Sequence, residues 1–319
     1  MVSLRKIMFL TALAAGIAAS AADTADGHAL VRVAAACLRG EPSNSSELET
    51  QATYGTPLQI IAREGEWLRA VTPDGYEAWI NESAVTECDS AAMVRWRHSP
   101  RLIVTAPQPL TAYSDTVDQS PRTAVADVTL NAIFEGEKTP GAEYTRITIA
   151  DGRTAYLPAW ALADFNEWSR CTAGPRTVLE NAYACMGATY LWGGTTLKAL
   201  DCSGLTSCTY FSAGLILPRN ASAQALCGQP LDVSEPEKFR QGDLLFFDDG
   251  SGSGRVTHVA VYDGNGRYIH SSGRVFTASF DPRDELYIPR RVVKAARVIG
   301  DPDCCGRGVI PVAQHPWYF

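Results

Sequence analysis

A block of the sequence recurs at an offset of 77 residues. Glu66-Trp67-Leu68-Arg69 aligns with Glu143-Tyr144-Thr145-Arg146, Asp74-Gly75 with Asp151-Gly152, Ala78-Trp79-Ile80 with Ala155-Tyr156-Leu157, and Ala84-Val85 with Ala161-Leu162. Such a chain must build one small module twice. In the first copy the runs Leu58 to Ala62, Trp67 to Val71 and Tyr76 to Ile80 are separated by Gly and Pro-Asp-Gly turn signals, which predicts strands. The second copy repeats this plan around Ala150-Asp151-Gly152. Several strands within about 60 residues point to a small barrel.

The stretch from Leu38-Arg39 to Ser46, then Gly55-Thr56-Pro57 and Asp74-Gly75-Tyr76-Glu77-Ala78-Trp79, resembles bacterial SH3 domains. The resemblance implies two SH3-like barrels, over residues 28–90 and 100–165, of a kind that binds or positions rather than catalyses. With 46% hydrophobic and 20% charged residues in 319, the chain can bury ordinary globular cores. Its formal charge of −7 argues against a nucleic-acid partner, which needs a basic face.

Arg5 and Lys6 precede an apolar run from Ile7 to Ala19 and small residues through Ala22, the pattern of a secretory signal peptide over residues 1–21. The run is too short to span a bilayer, which takes about 20 residues. The mature protein is therefore expected to be exported, periplasmic or extracellular, with no stable membrane insertion. Nine cysteines are an odd number, so at least one is unpaired within the chain, and up to eight remain that could pair. Cys185 and Cys208 fall in helical patterns and read equally well as buried thiols.

A third region, residues 172–319, has a different pattern. Thr172-Ala173-Gly174-Pro175 marks its boundary, and Pro175 suits the first turn of a helix running to about Met186. A second helix is predicted from Cys202, with strands at Asp243 to Phe247, Val256 to Tyr262 and Arg267 to Ser271. Helices followed by strands describe an α+β domain.

Asp201-Cys202-Ser203-Gly204 opens that second helix, so Cys202 sits where the helix dipole favours thiolate. Two of the five histidines, His258 and His270, flank the turn signal Asp263-Gly264-Asn265-Gly266. Their rings share a face only if the connection has an odd number of residues, such as Asp263 to Asn265; direct pairing across the hairpin is then expected. With such geometry His258 would take the Cys202 proton, or hold it as an ion pair, and later protonate a leaving amine, while His270 fixes its tautomer. No fourth ligand stands at metal-site spacing, so no metal and no cofactor are expected.

The residues Tyr190-Leu191-Trp192-Gly193-Gly194, Asp201-Cys202-Ser203-Gly204, Leu217-Pro218-Arg219, Gln224, Gly242-Asp243-Leu244-Leu245-Phe246-Phe247, Thr257-His258-Val259-Ala260-Val261-Tyr262 and Tyr268-Ile269-His270 resemble the NlpC/P60 cysteine peptidases in order and spacing. The resemblance implies a papain-like α+β catalytic domain with Cys202 as nucleophile, His258 as base and His270 as the orienting third residue. Together with the leader and two barrels it resembles the γ-D-glutamyl-L-diamino acid endopeptidases, and so implies murein peptides with a free N-terminal L-Ala as substrate. Asp201 then matches the position that faces the ammonium, Ser203 and Ser222 fit the Glu carboxylate, Tyr190 lines the pocket beside the sulfur, and Glu77 and Tyr113 of the barrels close the amine site. Ala260 stands where the family often has Gly, and Asp248 to Arg255 form a long Gly/Ser-rich loop beside the histidine strand. Two rivals remain: a catalytically silent wall-binding protein, and a Cys/His amidase or acyltransferase.

Overall fold

The computed structural model describes residues 27–171, 174–300 and 307–319. The leader expected over residues 1–21, the Thr172-Ala173 junction and the Cys304-Cys305 pair lie outside the described residues.

The internal repeat becomes two sheets of identical topology. The first comprises β1 (Gly27–Val31), β2 (Ala36–Arg39), β3 (Leu48–Ala52), β4 (Pro57–Glu64), β5 (Trp67–Val71), β6 (Glu77–Asn81) and β7 (Val85–Cys88), in spatial order β3-β2-β6-β5-β4-β1-β7. A helix absent from the sequence reading, α1 (Ser90–His98), leads into the second barrel. There β8 (Arg101–Val104), β9 (Leu110–Tyr113), β10 (Ala124–Val128), β11 (Ile133–Gly136), β12 (Tyr144–Thr148), β13 (Thr154–Pro158) and β14 (Leu162–Asp164) are ordered β10-β9-β13-β12-β11-β8-β14. Each barrel closes on its own apolar core, around Leu38, Ile60, Leu68 and Ile80 in one and Leu102, Phe134, Ile147 and Leu157 in the other.

After α2 (Phe165–Arg170) the chain builds an α+β unit: α3 (Pro175–Ala184), the short pair β15 (Thr195–Thr196) and β16 (Ala199–Leu200), α4 (Cys202–Phe211), β17 (Leu215–Ile216) and α5 (Ala221–Gln224). A sheet follows from β18 (Gln229–Leu231), β19 (Leu244–Phe247), β20 (His258–Gly264), β21 (Arg267–Ser272), β22 (Arg274–Ser279) and β23 (Val292–Arg297), ordered β18-β23-β19-β20-β21-β22, and β24 (Ile310–Pro311) returns to pair with β17. The fold is α+β, and α4 packs across β20 with Leu205, Val259 and Val261 in one core. Among the described residues no helix is long and apolar enough to cross a membrane.

The C-terminal aromatics close the seam between the three bodies. Tyr318 and Phe319 join Trp96 from α1, Ile133 from the second barrel, Phe165 from α2 and Ile216 from the last unit. The Arg101 guanidinium lies 4.5 Å from the centre of the Trp96 ring and donates to the Tyr318 carbonyl at 2.8 Å.

The hairpin between the two histidine strands corrects the expected register. Val261 pairs with Ile269 and Tyr262 with Tyr268, but Gly264 pairs with Arg267, so Asp263 is a bulge and the connection is the two-residue Asn265-Gly266 turn. Both turn residues have positive φ, 52° and 79°, as a tight hairpin of this type requires. An even loop alone would put the rings on opposite faces; the extra residue in the bulge restores the parity. His258 and His270 are therefore diagonal neighbours on one face rather than a directly opposed pair.

Candidate active site

Cys202 begins α4. Asp201 is its N-cap, accepting from the Gly204 amide at 2.6 Å, and the close approach of α4 to the preceding loop needs glycine at 204, where a Cβ would overlap the Gly194 carbonyl oxygen. The Cys202 sulfur is held beside the strand that carries the base. The backbone amides of Val259 and Ser203 favour its thiolate, while burial, with the Asp201 charge second, pushes the thiol above its usual range.

His258 opens β20 beside Val259. Its Nε2 lies 2.8 Å from His270 Nδ1, with the two rings at 86° to one another. Among the described residues no hydrogen bond joins Cys202 to His258, and such catalytic hydrogen bonds tighten on the way to the transition state. With Nε2 engaged by His270, Nδ1 is the nitrogen left for the sulfur. A base at Nδ1 requires the proton on Nε2, donated to His270 Nδ1, and this in turn places the His270 proton on Nε2. That Nε2 is buried without a partner, against Phe276 at 4.3 Å between ring centres. Burial lowers His258 to about 3, with the His270 and Arg290 charges adding to it, and lowers His270 to about 4, with Arg290 second. Burial thus favours thiol and neutral imidazole at rest rather than the standing ion pair considered from sequence. One proton transfer creates both charges together, each supplying the other's partner.

The tautomer argument yields a test. His270→Ala is expected to lower kcat by roughly 100-fold or more while KM changes little, because the His258 ring loses the group that orients it. His270→Asn should recover part of that loss, since its side-chain carbonyl can accept from His258 Nε2. Equal kcat values for the alanine variant and the parent would remove the orienting role.

The other residues singled out from sequence are distributed differently. Tyr190 is beside the sulfur as expected, its hydroxyl pushed up to about 12 by burial and then by the Cys202 and Asp201 charges. The Asp201 carboxylate is saturated: it accepts from Gly193 N, Gly204 N and Ser203 Oγ, and takes Arg219 on both oxygens, at 3.1 and 2.5 Å. Asp201 therefore has no oxygen left to face an ammonium, and Ser203, 5% exposed and bound to the same arginine at 2.9 Å, belongs to this network. Ser222 is exposed on α5. Glu77 does not close the cleft: it alternates with the inward-facing Ala78 on β6, half-exposed, and pairs with Arg69 at 3.1 Å. Tyr113 is paired with Tyr156 and Ala124 inside the second barrel.

Sequence reasoning passed over the groups that join the barrels to this site. Arg219, 4% exposed, reaches Thr50 Oγ1 of β3 with its Nε at 2.9 Å while its other nitrogens hold Asp201 and Ser203. Asn131 of the second barrel, at φ 70°, donates to the Cys208 carbonyl at 2.9 Å farther along α4. At Gly193 a Cβ would overlap the Leu48 carbonyl oxygen, so the first barrel abuts the loop that borders the sulfur. Next to Leu48, Glu49 accepts from Tyr76 Oη at 2.5 Å, and Tyr76 is itself near Asn220 and Arg219. The only signals for these contacts in the sequence were the Leu217-Pro218-Arg219 string and an aromatic after Asp74-Gly75.

The seven cysteines among the described residues are all free thiols, so pairing of most of them, open from the sequence, does not occur here. Cys185 and Cys208 are buried.

The NlpC/P60 family matches residues 187–297, and the bacterial dipeptidyl-peptidase Sh3 domain matches residues 38–85. The chain is 28% identical over 238 residues to a gamma-D-glutamyl-L-lysine dipeptidyl-peptidase of Bacillus cereus, covering 72% of this chain and 68% of that protein. It is 28% identical over 275 residues to dipeptidyl-peptidase 6 of Lysinibacillus sphaericus, covering 82% of this chain and 94% of that one. A crystal structure of an NlpC/P60 family protein from Bacillus cereus shares the fold, with a TM-score of 0.71 at 22% identity over 86% of this chain and the whole of the other.

Proposed function

Because this chain carries an NlpC/P60 peptidase domain behind a dipeptidyl-peptidase SH3 domain, we propose that it hydrolyses murein peptides with a free N-terminal L-Ala, cutting after γ-D-Glu to release L-Ala-γ-D-Glu. The observation that carries this reading is a cysteine at a helix N-terminus, next to the Val259 amide of the strand that opens on a buried His–His pair, with the first barrel against the neighbouring loop at Gly193. Cys202 attacks the amide carbonyl, His258 takes its proton and returns it to the leaving amine, and water hydrolyses the acyl-enzyme. First-turn amides of α4, including that of Cys202, stabilise the oxyanion. Export to the cell wall or periplasm, residue spans 28–90 and 100–165 for the barrels, and residues 172–319 for the peptidase unit belong to the same proposal.

The relatives' printed names refer to γ-D-glutamyl-L-lysine and to dipeptides, which agrees with a cleft closed two residues before the scissile bond. For the ammonium, Glu49 replaces the sequence candidates, because Asp201 and Glu77 are already paired with arginines. An ion pair to a free amine inside a partly dry cleft is worth a charge-assisted hydrogen bond, and Tyr76 holds the carboxylate in place.

Mass spectrometry of products from L-Ala-γ-D-Glu-diaminopimelate tests the reaction. Release of L-Ala-γ-D-Glu is expected; loss of an amide or acyl transfer would favour the amidase or acyltransferase reading, and intact peptide a silent binder. N-acetylation of the substrate should lower kcat/KM by roughly 10- to 100-fold, the value of one charge-assisted contact plus a steric clash. Glu49→Gln should erase most of that discrimination. Undiminished cleavage of the acetylated peptide would remove the closed end from the mechanism.

A further inference from the structure

We propose that Tyr268 is a positioning residue of the histidine pair: its hydroxyl and the Nε2 proton of His270 share one buried water, which holds both imidazoles in the tautomers that leave His258 Nδ1 free for the sulfur. The inference deepens the endopeptidase reading above, on which it rests for the role of the sulfur, and one of its two measurements needs no turnover.

Tyr268 and His270 stand two positions apart on β21, so both side chains leave the same face of the sheet. Between them Ile269 points the other way, into the core it shares with Leu205 of α4. The Tyr268 face has a core of its own, which includes Leu245, Phe247, Ala260 and Ala278. The Tyr268 and His270 rings are 5.2 Å apart between centres, at 72° to one another. Phe247 lies 5.0 Å from the Tyr268 ring and 5.9 Å from that of His258, so base, orienting residue and tyrosine pack as one set. The chain after β22 folds back over this face, where the Ile288 amide donates to the Ser279 carbonyl at 2.9 Å and its side chain joins the same core.

Two polar atoms in these apolar surroundings have no hydrogen-bond partner among the described residues: Tyr268 Oη and His270 Nε2. Both residues are 0% exposed, so bulk solvent does not reach them. Buried polar groups are as a rule paired, and two orphans on neighbouring positions of one strand face call for a common partner.

The protons decide what that partner is. A base at His258 Nδ1 puts the His258 proton on Nε2 and the His270 proton on its own Nε2, so His270 presents a donor there, and the phenol brings a second. A direct bond from His270 to the tyrosine oxygen would leave the phenol proton buried with no acceptor. One water takes both, one on each lone pair, and has the two polar partners that an internal water needs. With the tyrosine oxygen removed, the water loses half of its anchorage. His270 can then carry its proton on Nδ1 and donate to His258, which moves the His258 proton to Nδ1 and abolishes the base. Tyr268 thus acts through His270 and not on the reacting atoms.

Tyr268→Phe tests this, because it keeps the ring against Phe247 and removes one oxygen. In the full chain kcat on L-Ala-γ-D-Glu-diaminopimelate should fall by roughly three- to tenfold with KM unchanged, the value of one neutral hydrogen bond. NMR of the histidine ring nitrogens in the substrate-free protein gives the second readout. The parent should show His258 and His270 protonated at Nε2 and bare at Nδ1, and Tyr268→Phe should move part of the population to the reverse pattern. A purely structural tyrosine would lower the melting temperature and leave the tautomers where they were. Unchanged tautomers in Tyr268→Phe, or a parent whose His270 Nε2 carries no proton, would overturn the inference and leave the endopeptidase reading standing. A parent that shows the expected tautomers, and a variant that reverses them, while neither cleaves the peptide, would support the positioning role and overturn the endopeptidase reading alone.

Discussion

Cys202→Ala is expected to lower kcat on L-Ala-γ-D-Glu-diaminopimelate by roughly 10,000-fold or more, the scale seen when a covalent nucleophile is removed from a concerted catalytic group. The melting temperature should hardly move, because alanine keeps the helix N-terminus and its Asp201 cap. Cys202 is buried with its thiol raised, so at neutral pH iodoacetamide should label the exposed Cys171 ahead of it in the substrate-free native protein. The pH profile follows from the directions of the two shifts. The active form carries one proton shared between sulfur and ring. Protonating the ring as well removes activity on the acid side, and because His258 is lowered to about 3 that limb should fall well below the usual imidazole range. Losing the shared proton removes activity on the basic side, and because Cys202 is raised that limb should lie above the usual thiol range. A narrow bell centred near pH 7 would contradict both directions.

Arg219→Met is expected to destabilise the protein by about 3–5 kcal/mol, because it strands the Asp201 carboxylate in a buried site with no cation. The side chains of Arg219 and Asp201 are 3% and 7% exposed, so solvent cannot compensate. Chemical denaturation gives the number, and kcat/KM gives a second one: the released carboxylate sits at the cap of the helix that carries the nucleophile. Arg219→Lys keeps the charge but not the fork that binds Asp201, Ser203 and Thr50 together, and should recover only part of either loss. Thr50→Val removes only the link to the first barrel. A change of less than 1 kcal/mol for Arg219→Met would show that the clamp contributes little.

Much of this architecture was legible in the sequence because it depends on local pattern. The 77-residue offset carries over into matching strands, Trp67–Val71 with Tyr144–Thr148 and Glu77–Asn81 with Thr154–Pro158, since both copies place apolar residues at the same alternate positions. Cys202 at a helix start follows from the Asp-Cys-Ser-Gly string. What was not legible depends on distance or parity. Arg219 and Thr50 are 169 positions apart, and nothing local to either names the other. The bulge at Asp263 shifts the register by one residue, a difference that Asp-Gly-Asn-Gly alone does not encode. Glu77 stands where the second copy has Thr154, but strand alternation turns it outward, and Glu49, unremarkable in its own run, sits next to Leu48 at the cleft loop instead.

Thr50 and Asn131 belong to separate barrels yet grip a single helix, one through Arg219 at its start and the other at Cys208 farther along. The three units are consequently poor candidates for mix-and-match evolution. A lineage that exchanged either barrel for another wall-binding module would inherit the peptidase residues intact and still lose the alignment of its nucleophile, so the set is expected to be gained, lost and duplicated as one piece.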